Sequence, residues 1–257
     1  MNTATRMWGL EGPTFTLPTG FLVLREEGEV TIPVPCYLIE HPRGLVLFDT
    51  GIAVEAADDP LTVFSEDELA FNHLVYETGH RPDRQIESLG FSADRVTHVV
   101  MSHVHHDHSG GMRLFPGAQF YCGVDEMPHA YWPVSTQRGL FRRQDIDAVR
   151  DFSWNEIAAD FDLFGDGSVT ILTLPGHTPG SVGMMVRLPT RTVLLTGDAV
   201  HLHSAVDNLM PMPSDWSAVH AVQSIRKLDL LRRTHEADLW IQHDPQDWER
   251  YGGRELR

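Results

Sequence analysis

Cysteine is scarce in this chain of 257 residues: there are two, Cys36 and Cys122. So few exclude a disulfide scaffold, and two isolated thiols beside ordinary apolar content are expected to stay free. Positive charge is short as well, with 20 Lys and Arg against 36 Asp and Glu and a net charge of −16. No basic cluster interrupts that balance, so neither nucleic acid nor an anionic membrane surface is expected as a partner. No apolar run nears the length of a bilayer span. The opening Met1-Asn2-Thr3-Ala4-Thr5-Arg6 lacks the charged-then-apolar profile of a signal peptide. These absences leave a soluble cytoplasmic protein as the expectation. Apolar residues at 42% are ordinary for a folded chain, and residues 1–257 suffice for one domain with a proper core.

What the chain has is histidine, and much of it in one place. His103, His105, His106, Asp107 and His108 follow the apolar run Val96-Thr97-His98-Val99-Val100-Met101. That run is short and β-branched, hence a buried strand, and Gly110-Gly111 turns the chain soon after. A strand end can present His103, His105, Asp107 and His108 to one point. Imidazole with carboxylate suits Zn²⁺ and its neighbours Fe, Mn and Co.

Upstream, Thr14 to Leu24, Thr31 to Ile39 and Gly44 to Phe48 read as antiparallel strands. The last ends in Asp49-Thr50-Gly51. Asp49 either caps its own turn or orients a ligand histidine from behind, and both readings stay open. Val54 to Thr78 turns acidic and helical, with a capping box at Ser65 to Glu68 and no obvious sheet partner. It is a surface insertion or a lid. A helix is expected from Asp83 to Leu89 and a strand from Ala118 to Val124. The aromatic stretch Glu126 to Arg150 is either packed core or the wall of a pocket.

Two later strands also end in chemistry. Val169 to Leu174 runs into Pro175-Gly176-His177-Thr178-Pro179-Gly180, and Thr192 to Thr196 into Gly197-Asp198. Strand–His and strand–Asp patterns thus occur in each half of the chain, a weak hint of duplication. Ser214 to Arg233 is the clearest helix, with Val219, Val222, Ile225, Leu228 and Leu231 as its apolar stripe and Ser214 or Asp215 as N-cap. A last strand, Ala237 to Gln242, leads to His243. The strand ends together supply five histidines and two aspartates. That set suits two metals about 3.5–4 Å apart. His103, His105 and His177 would hold one, Asp107, His108 and His243 the other, with Asp198 between them.

His103-x-His105-x-Asp107-His108, Gly176-His177-Thr178-Pro179-Gly180, Gly197-Asp198 and His243 resemble, in order, the dinuclear ligand set of the metallo-β-lactamase superfamily. The resemblance implies an α+β fold, an αββα four-layer sandwich with the metals at one edge of two sheets. True β-lactamases lack a histidine at the position of His108 and usually use a cysteine ligand. Flavodiiron-type members put an acid where His105 stands. Glyoxalase II shares all seven ligands but needs a C-terminal helical domain, and only fourteen residues follow His243. Length, Phe115-Pro116-Gly117-Ala118 and the late helix resemble the N-acyl homoserine lactonase branch. Two positions depart from it: His201 stands where a tyrosine often helps hold the lactone carbonyl, and His106 where phenylalanine is common.

The resemblance implies a lactonase that opens N-acyl homoserine lactones or a related small lactone. The alternative is a hydrolase of the same fold acting on another ester, thioester or lactone. Two divalent metals, zinc first and Fe, Mn or Co otherwise, lower the pKa of water to about 7 and polarise the carbonyl. Asp107 would carry the proton to the leaving oxygen and His201 would donate to the carbonyl. An acyl tail is expected against Met7, Trp8, Phe64, Phe71, His106, Trp132 and Phe141. The protein is expected as a monomer or homodimer.

Overall fold

The computed structural model describes residues 3–257. Two sheets lie face to face. The larger has seven strands in the order Glu255–Leu256, Arg6–Leu10, Cys36–His41, Gly44–Phe48, Val96–Val100, Gln119–Gly123 and Ser153–Ile157. The smaller has five: Phe161–Asp162, Val169–Thr173, Val182–Arg187, Thr192–Leu195 and Asp238–Trp240. Side chains alternate across each strand, so each sheet has an inner and an outer face to cover. The inner faces meet through Tyr37, Phe48, Val100, Met184, Leu195 and Trp240. On the outer face of the larger sheet, Leu38, Leu47 and Phe120 pack against Ile86 and Ile146 of the helices Pro82–Ser88 and Arg143–Asp147. Across the molecule Leu172, Met185 and Leu194 pack against Ile225 and Leu228 of the helix Ala218–Thr234. The four αββα layers are those the resemblance implies.

Strand direction decides where the chemistry gathers. Gly44–Phe48 and Val96–Val100 run parallel, with Phe48 opposite Val100, so Asp49 and the histidine loop leave the sheet at the same edge. In the smaller sheet Thr192–Leu195 runs parallel to Asp238–Trp240, with Leu195 opposite Trp240. Asp198 and His243 therefore leave together. His177 sits in the turn between Val169–Thr173 and Val182–Arg187, whose pairing ends at Thr173 and Val182.

Several sequence expectations need correction. The run Thr14 to Leu24 is a strand only over Thr14–Pro18, and Thr19–Leu22 is a short helix. Pro18, with no N–H to continue a ladder, marks the break. Thr31 to Ile39 is two strands in two sheets, Glu29–Pro33 and Cys36–His41, split by Pro33-Val34-Pro35. Residues 54–78 do have a sheet partner: His73–Val75 pairs with Thr14–Thr16, making a third sheet in the order Glu29–Pro33, Thr14–Pro18, His73–Val75. The capping box within them is formed, with Ser65 N donating to Glu68 Oε2 at 2.7 Å and Glu68 N to Ser65 Oγ at 3.3 Å. The long helix is capped by Ser217, not by Ser214 or Asp215, and Val219 of the expected stripe is 68% exposed. Strands Arg6–Leu10 and Val182–Arg187 had not been expected. Cys36 and Cys122 are buried and free.

Candidate metal centre

The loop after Val96–Val100, the turn at His177, the segment after Thr192–Leu195 and His243 converge at one sheet edge. His103 Nε2 and His105 Nδ1 stand 2.9 Å apart, and His177 Nε2 is 3.0 Å from His105 Nδ1. His243 Nε2 faces His108 Nε2 at 3.3 Å. Asp198 lies between the two groups. Its Oδ2 is 3.8 Å from His103 Nε2 and 3.5 Å from His177 Nε2, and its Oδ1 is 3.3 Å from His108 Nε2 and 3.1 Å from His243 Nε2. Asp107 Oδ2 approaches His108 Nε2 at 3.6 Å and His243 Nε2 at 3.9 Å. Ligand-grade atoms of His103, His105 and His177, and separately of Asp107, His108 and His243, all lie within 4.8 Å of one another. These are the two expected sets.

Most of these imidazoles are held from behind. His108 Nδ1 donates to Asp49 Oδ2 at 2.9 Å, His177 Nδ1 to Asp215 Oδ1 at 3.0 Å, and His243 Nδ1 to the Pro33 carbonyl at 2.7 Å. His103 Nδ1 is 3.0 Å from Ser102 Oγ. With the proton on the outer nitrogen, the inner nitrogen turns a lone pair into the site. Where these rings are neutral, inner nitrogens face one another without a proton between them, and Asp198 Oδ1 is buried with no hydrogen-bond partner. Lone pairs that cannot satisfy one another are what a cation relieves, so the residues fit a pair of bound metals. Asp49 is the orienting carboxylate, one of the two readings its sequence left open. It also accepts from Ser102 N at 2.6 Å and from Gln242 Nε2 at 3.0 Å, from a left-handed backbone at φ 61°. Asp215, read from sequence as a cap, and Ser102 are functional neighbours that the sequence reading missed. Nothing local marks Asp215, whose partner His177 is 38 positions away, whereas Ser102 adjoins His103 and that adjacency was the available signal.

Charge follows the same geometry. Burial pushes the Asp198 carboxyl up, but His108, His243, His201 and His103 around it bring it well below its usual range. Burial holds His103 and His105 well below theirs. For His108 burial is overcome by Asp198, Asp107 and Asp49, which raise it well above. His201 is lowered by burial, so it is neutral at pH 7. Its Nε2 stands 3.1 Å from Asp198 Oδ2.

Residues 31–234 match the family model described as the metallo-beta-lactamase superfamily. The chain belongs to that superfamily. Among curated proteins it is similar to N-acyl homoserine lactonase AttM of Azorhizobium caulinodans, at 35% identity covering 84% of each chain. AttM of Agrobacterium fabrum is 34% identical over the same shares. A probable metallo-hydrolase of Mycobacterium tuberculosis is 30% identical over 81% of this chain and 73% of its own. Among solved structures, an N-acyl homoserine lactone hydrolase with N-hexanoyl-L-homoserine at its catalytic metal center superposes with a TM-score of 0.85. It is 21% identical, and the match covers 96% of both chains. As a member of the superfamily with these relatives, the chain is a metal-dependent hydrolase.

Above the ligands opens a small cavity. Its polar floor is His105, Asp107, His177, Asp198, His201 and His243, and its apolar wall includes Phe15, Leu17, Phe21, Ile32, Leu140 and Met212. Of the expected tail residues, only His106 lines it. Phe64 and Phe141 stand one layer behind, at 5.1 Å from the His106 ring and 4.5 Å from the His105 ring. Phe71 is 45% exposed and does not line the cavity, though its ring meets that of Phe21, which does, at 5.3 Å. Trp132 is 88% exposed and lines a different surface cavity with Arg138 and Arg143. Met7 and Trp8 are corrected outright: both are buried, on opposite faces of the Arg6–Leu10 strand, in core clusters. An aromatic residue type says apolar without saying which surface it covers. The wall is instead one face of the small third sheet, where Phe15 pairs opposite Ile32 and Leu17 follows two residues on. The alternation Phe15-x-Leu17 was the available signal.

Proposed function

We propose that this chain is a dinuclear metal-dependent lactonase that opens the ring of N-acyl homoserine lactones or a closely related small lactone. The observation that carries the reading is Asp198, one oxygen turned to each of two ligand sets at the floor of a cavity with an apolar wall. Seven residues would hold the ions: His103, His105 and His177 for one, Asp107, His108 and His243 for the other, and Asp198 for both. Zinc suits the nitrogen-rich set best, with Fe, Mn or Co as the other candidates. When bound, two such ions would supply Lewis acidity to a carbonyl and lower the pKa of water to about 7.

The protein's own groups do the rest. Asp107, half-buried at the cavity, uses the carboxylate oxygen that does not hold an ion to take the proton of the attacking water and return it to the ring oxygen as that bond breaks. The wall excludes water from an acyl tail while leaving the ring at the floor. His201 carries a single proton when neutral. With Nε2–H on Asp198 Oδ2 it has none for a substrate carbonyl, so donation there requires Asp198 Oδ2 to take another partner. We propose residues 1–257 as one hydrolase domain, active as a monomer or homodimer in the cytoplasm on a diffusible lactone.

The test is ring opening, followed as carboxylate released, across homoserine lactones of graded acyl length and a parallel set of esters and thioesters. Turnover of the lactones, abolished by chelation and restored by Zn²⁺, is the expected result. Metal-loaded protein that cleaves a thioester or open ester but no lactone would replace this reading with the broader hydrolase.

A further inference from the structure

Glu126 takes no part in the chemistry above, yet it is completely buried at the start of the helix Glu126–Tyr131. Its carboxylate joins two loops that are far apart in sequence. Oε1 accepts from the Val104 N–H at 2.8 Å, and Oε2 accepts from the Thr178 hydroxyl at 2.5 Å. Val104 is the residue between His103 and His105, and Thr178 follows His177. All three histidines of one ligand set are therefore fixed to one another through a single side chain. The backbone is shaped for this contact. A Cβ at Gly180 would fall 2.4 Å from Glu126 N, and one at Gly123 would fall 2.1 Å from Gly180 O. Only glycine lets the three segments close on each other.

The cost of the arrangement says that it serves more than packing. A buried carboxylate without a cationic partner is a poor way to fill space, and an apolar residue of the same volume stabilises better. Burial pushes the Glu126 carboxyl up, and the hydrogen bonds from Thr178 and Val104 oppose that shift. What an apolar residue would lose is the defined spacing between the two loops. The other ligand set, Asp107, His108 and His243, receives its fixed partners elsewhere, from Asp49 and the Pro33 carbonyl.

We propose that Glu126 is a positioning residue that sets metal affinity at the His103, His105 and His177 set and leaves the other set alone. The inference rests on the two-metal reading, and the experiment separates the two. Zn²⁺ is titrated into metal-free protein by calorimetry. Two equivalents in the wild type uphold the two-metal reading, and fewer would remove it whatever Glu126 does. His243→Ala then leaves the three-histidine set as the remaining tight site, and His177→Ala leaves the other. Glu126→Gln keeps size and shape but replaces one acceptor by a donor. In the His243→Ala protein it should weaken the remaining site by about 10–100-fold, the usual effect of losing an outer partner. In the His177→Ala protein the remaining site should not change. Thr178→Val, which removes one arm without touching the helix, should act in the same direction by a smaller factor, and it serves if Glu126→Gln does not fold. Equal weakening of both sites, or of neither, overturns the proposal.

Discussion

The imidazoles of the two ligand sets are mostly held from behind by a polar partner, whereas the side chains of the wall above them are held by packing. His108, His177 and His243 each give their outer N–H to a fixed acceptor within 3.0 Å. The side chains of Phe15, Leu17 and Ile32, on the small sheet, pack in an apolar cluster. The difference teaches where each property resides. Metal chemistry needs lone pairs set to a fraction of an ångström, and directional hydrogen bonds deliver that. A wall for an acyl tail needs only area and exclusion of water, which tolerates exchange of one apolar group for another. Changes to the floor should therefore act on metal content, and changes to the wall on choice of substrate.

The hardest break of that contrast is Asp198→Ala. It removes the carboxylate shared by both ligand sets, so metal should be lost from both at once and turnover should fall by more than about 100-fold, beyond the effect of losing an outer partner. Metal content by elemental analysis checks it. If one full equivalent stays bound with unchanged affinity, Asp198 is not shared. Next in size is Asp49→Asn, which keeps a residue tolerant of the φ of 61° but turns an amide toward groups that now donate to it. Zinc affinity at the set containing His108 should drop by about 10–100-fold with little change in KM for substrate. A rise in KM with metal content intact would move Asp49 out of its place behind the floor.

The floor was legible in the sequence because its residues are short motifs at strand ends. His103-x-His105-x-Asp107-His108, Gly176-His177 and Gly197-Asp198 each follow a β-branched run, and strand direction gathers them at one edge. Asp49 was half legible, since a turn aspartate and an orienting aspartate look alike until His108 is seen beside it. Asp215 and Glu126 were not legible in these roles, because each acts on a residue more than thirty positions away. The wall was misread for a different reason. Met7, Trp8 and Trp132 are large and apolar, and residue type does not report facing. The strand break at Pro18 and the split at Pro33-Val34-Pro35 decide which side chains look into the cavity, and both lie in runs that read as continuous strand.

His201 sits between floor and wall, and its test sharpens where one ends. As a donor to the carbonyl it should lower kcat by about ten-fold when replaced by Ala, since each factor of ten is 1.36 kcal/mol of transition-state stabilisation. His201→Tyr should then restore most of the loss through its hydroxyl. As a partner of Asp198 alone, His201→Ala should instead change zinc affinity, and His201→Tyr should restore nothing in kcat. Steady-state kinetics beside metal titration distinguish the two.

The smallest effect expected is also the cleanest test of the wall. Ile32→Val removes one methylene from a side chain that is 4% exposed and lines the cavity opposite Phe15. A methylene buried against an acyl tail is worth about 0.8 kcal/mol, or about fourfold in kcat/KM. That loss should fall on long-chain lactones and spare short ones, so the ratio between the two is the measurement. Stability will drop as well, by about 0.5–1.5 kcal/mol, because Ile32 also packs in the apolar cluster. Stability alone acts equally on every substrate and cancels in the ratio. Zinc content should stay at the wild-type value, since no floor residue bonds to Ile32. Trp132→Ala supplies the control: it removes a far larger apolar surface, but from the other cavity, and should leave the ratio unmoved. A ratio that shifts with Trp132 and not with Ile32 would place the acyl tail on the opposite side of His105, against Phe141.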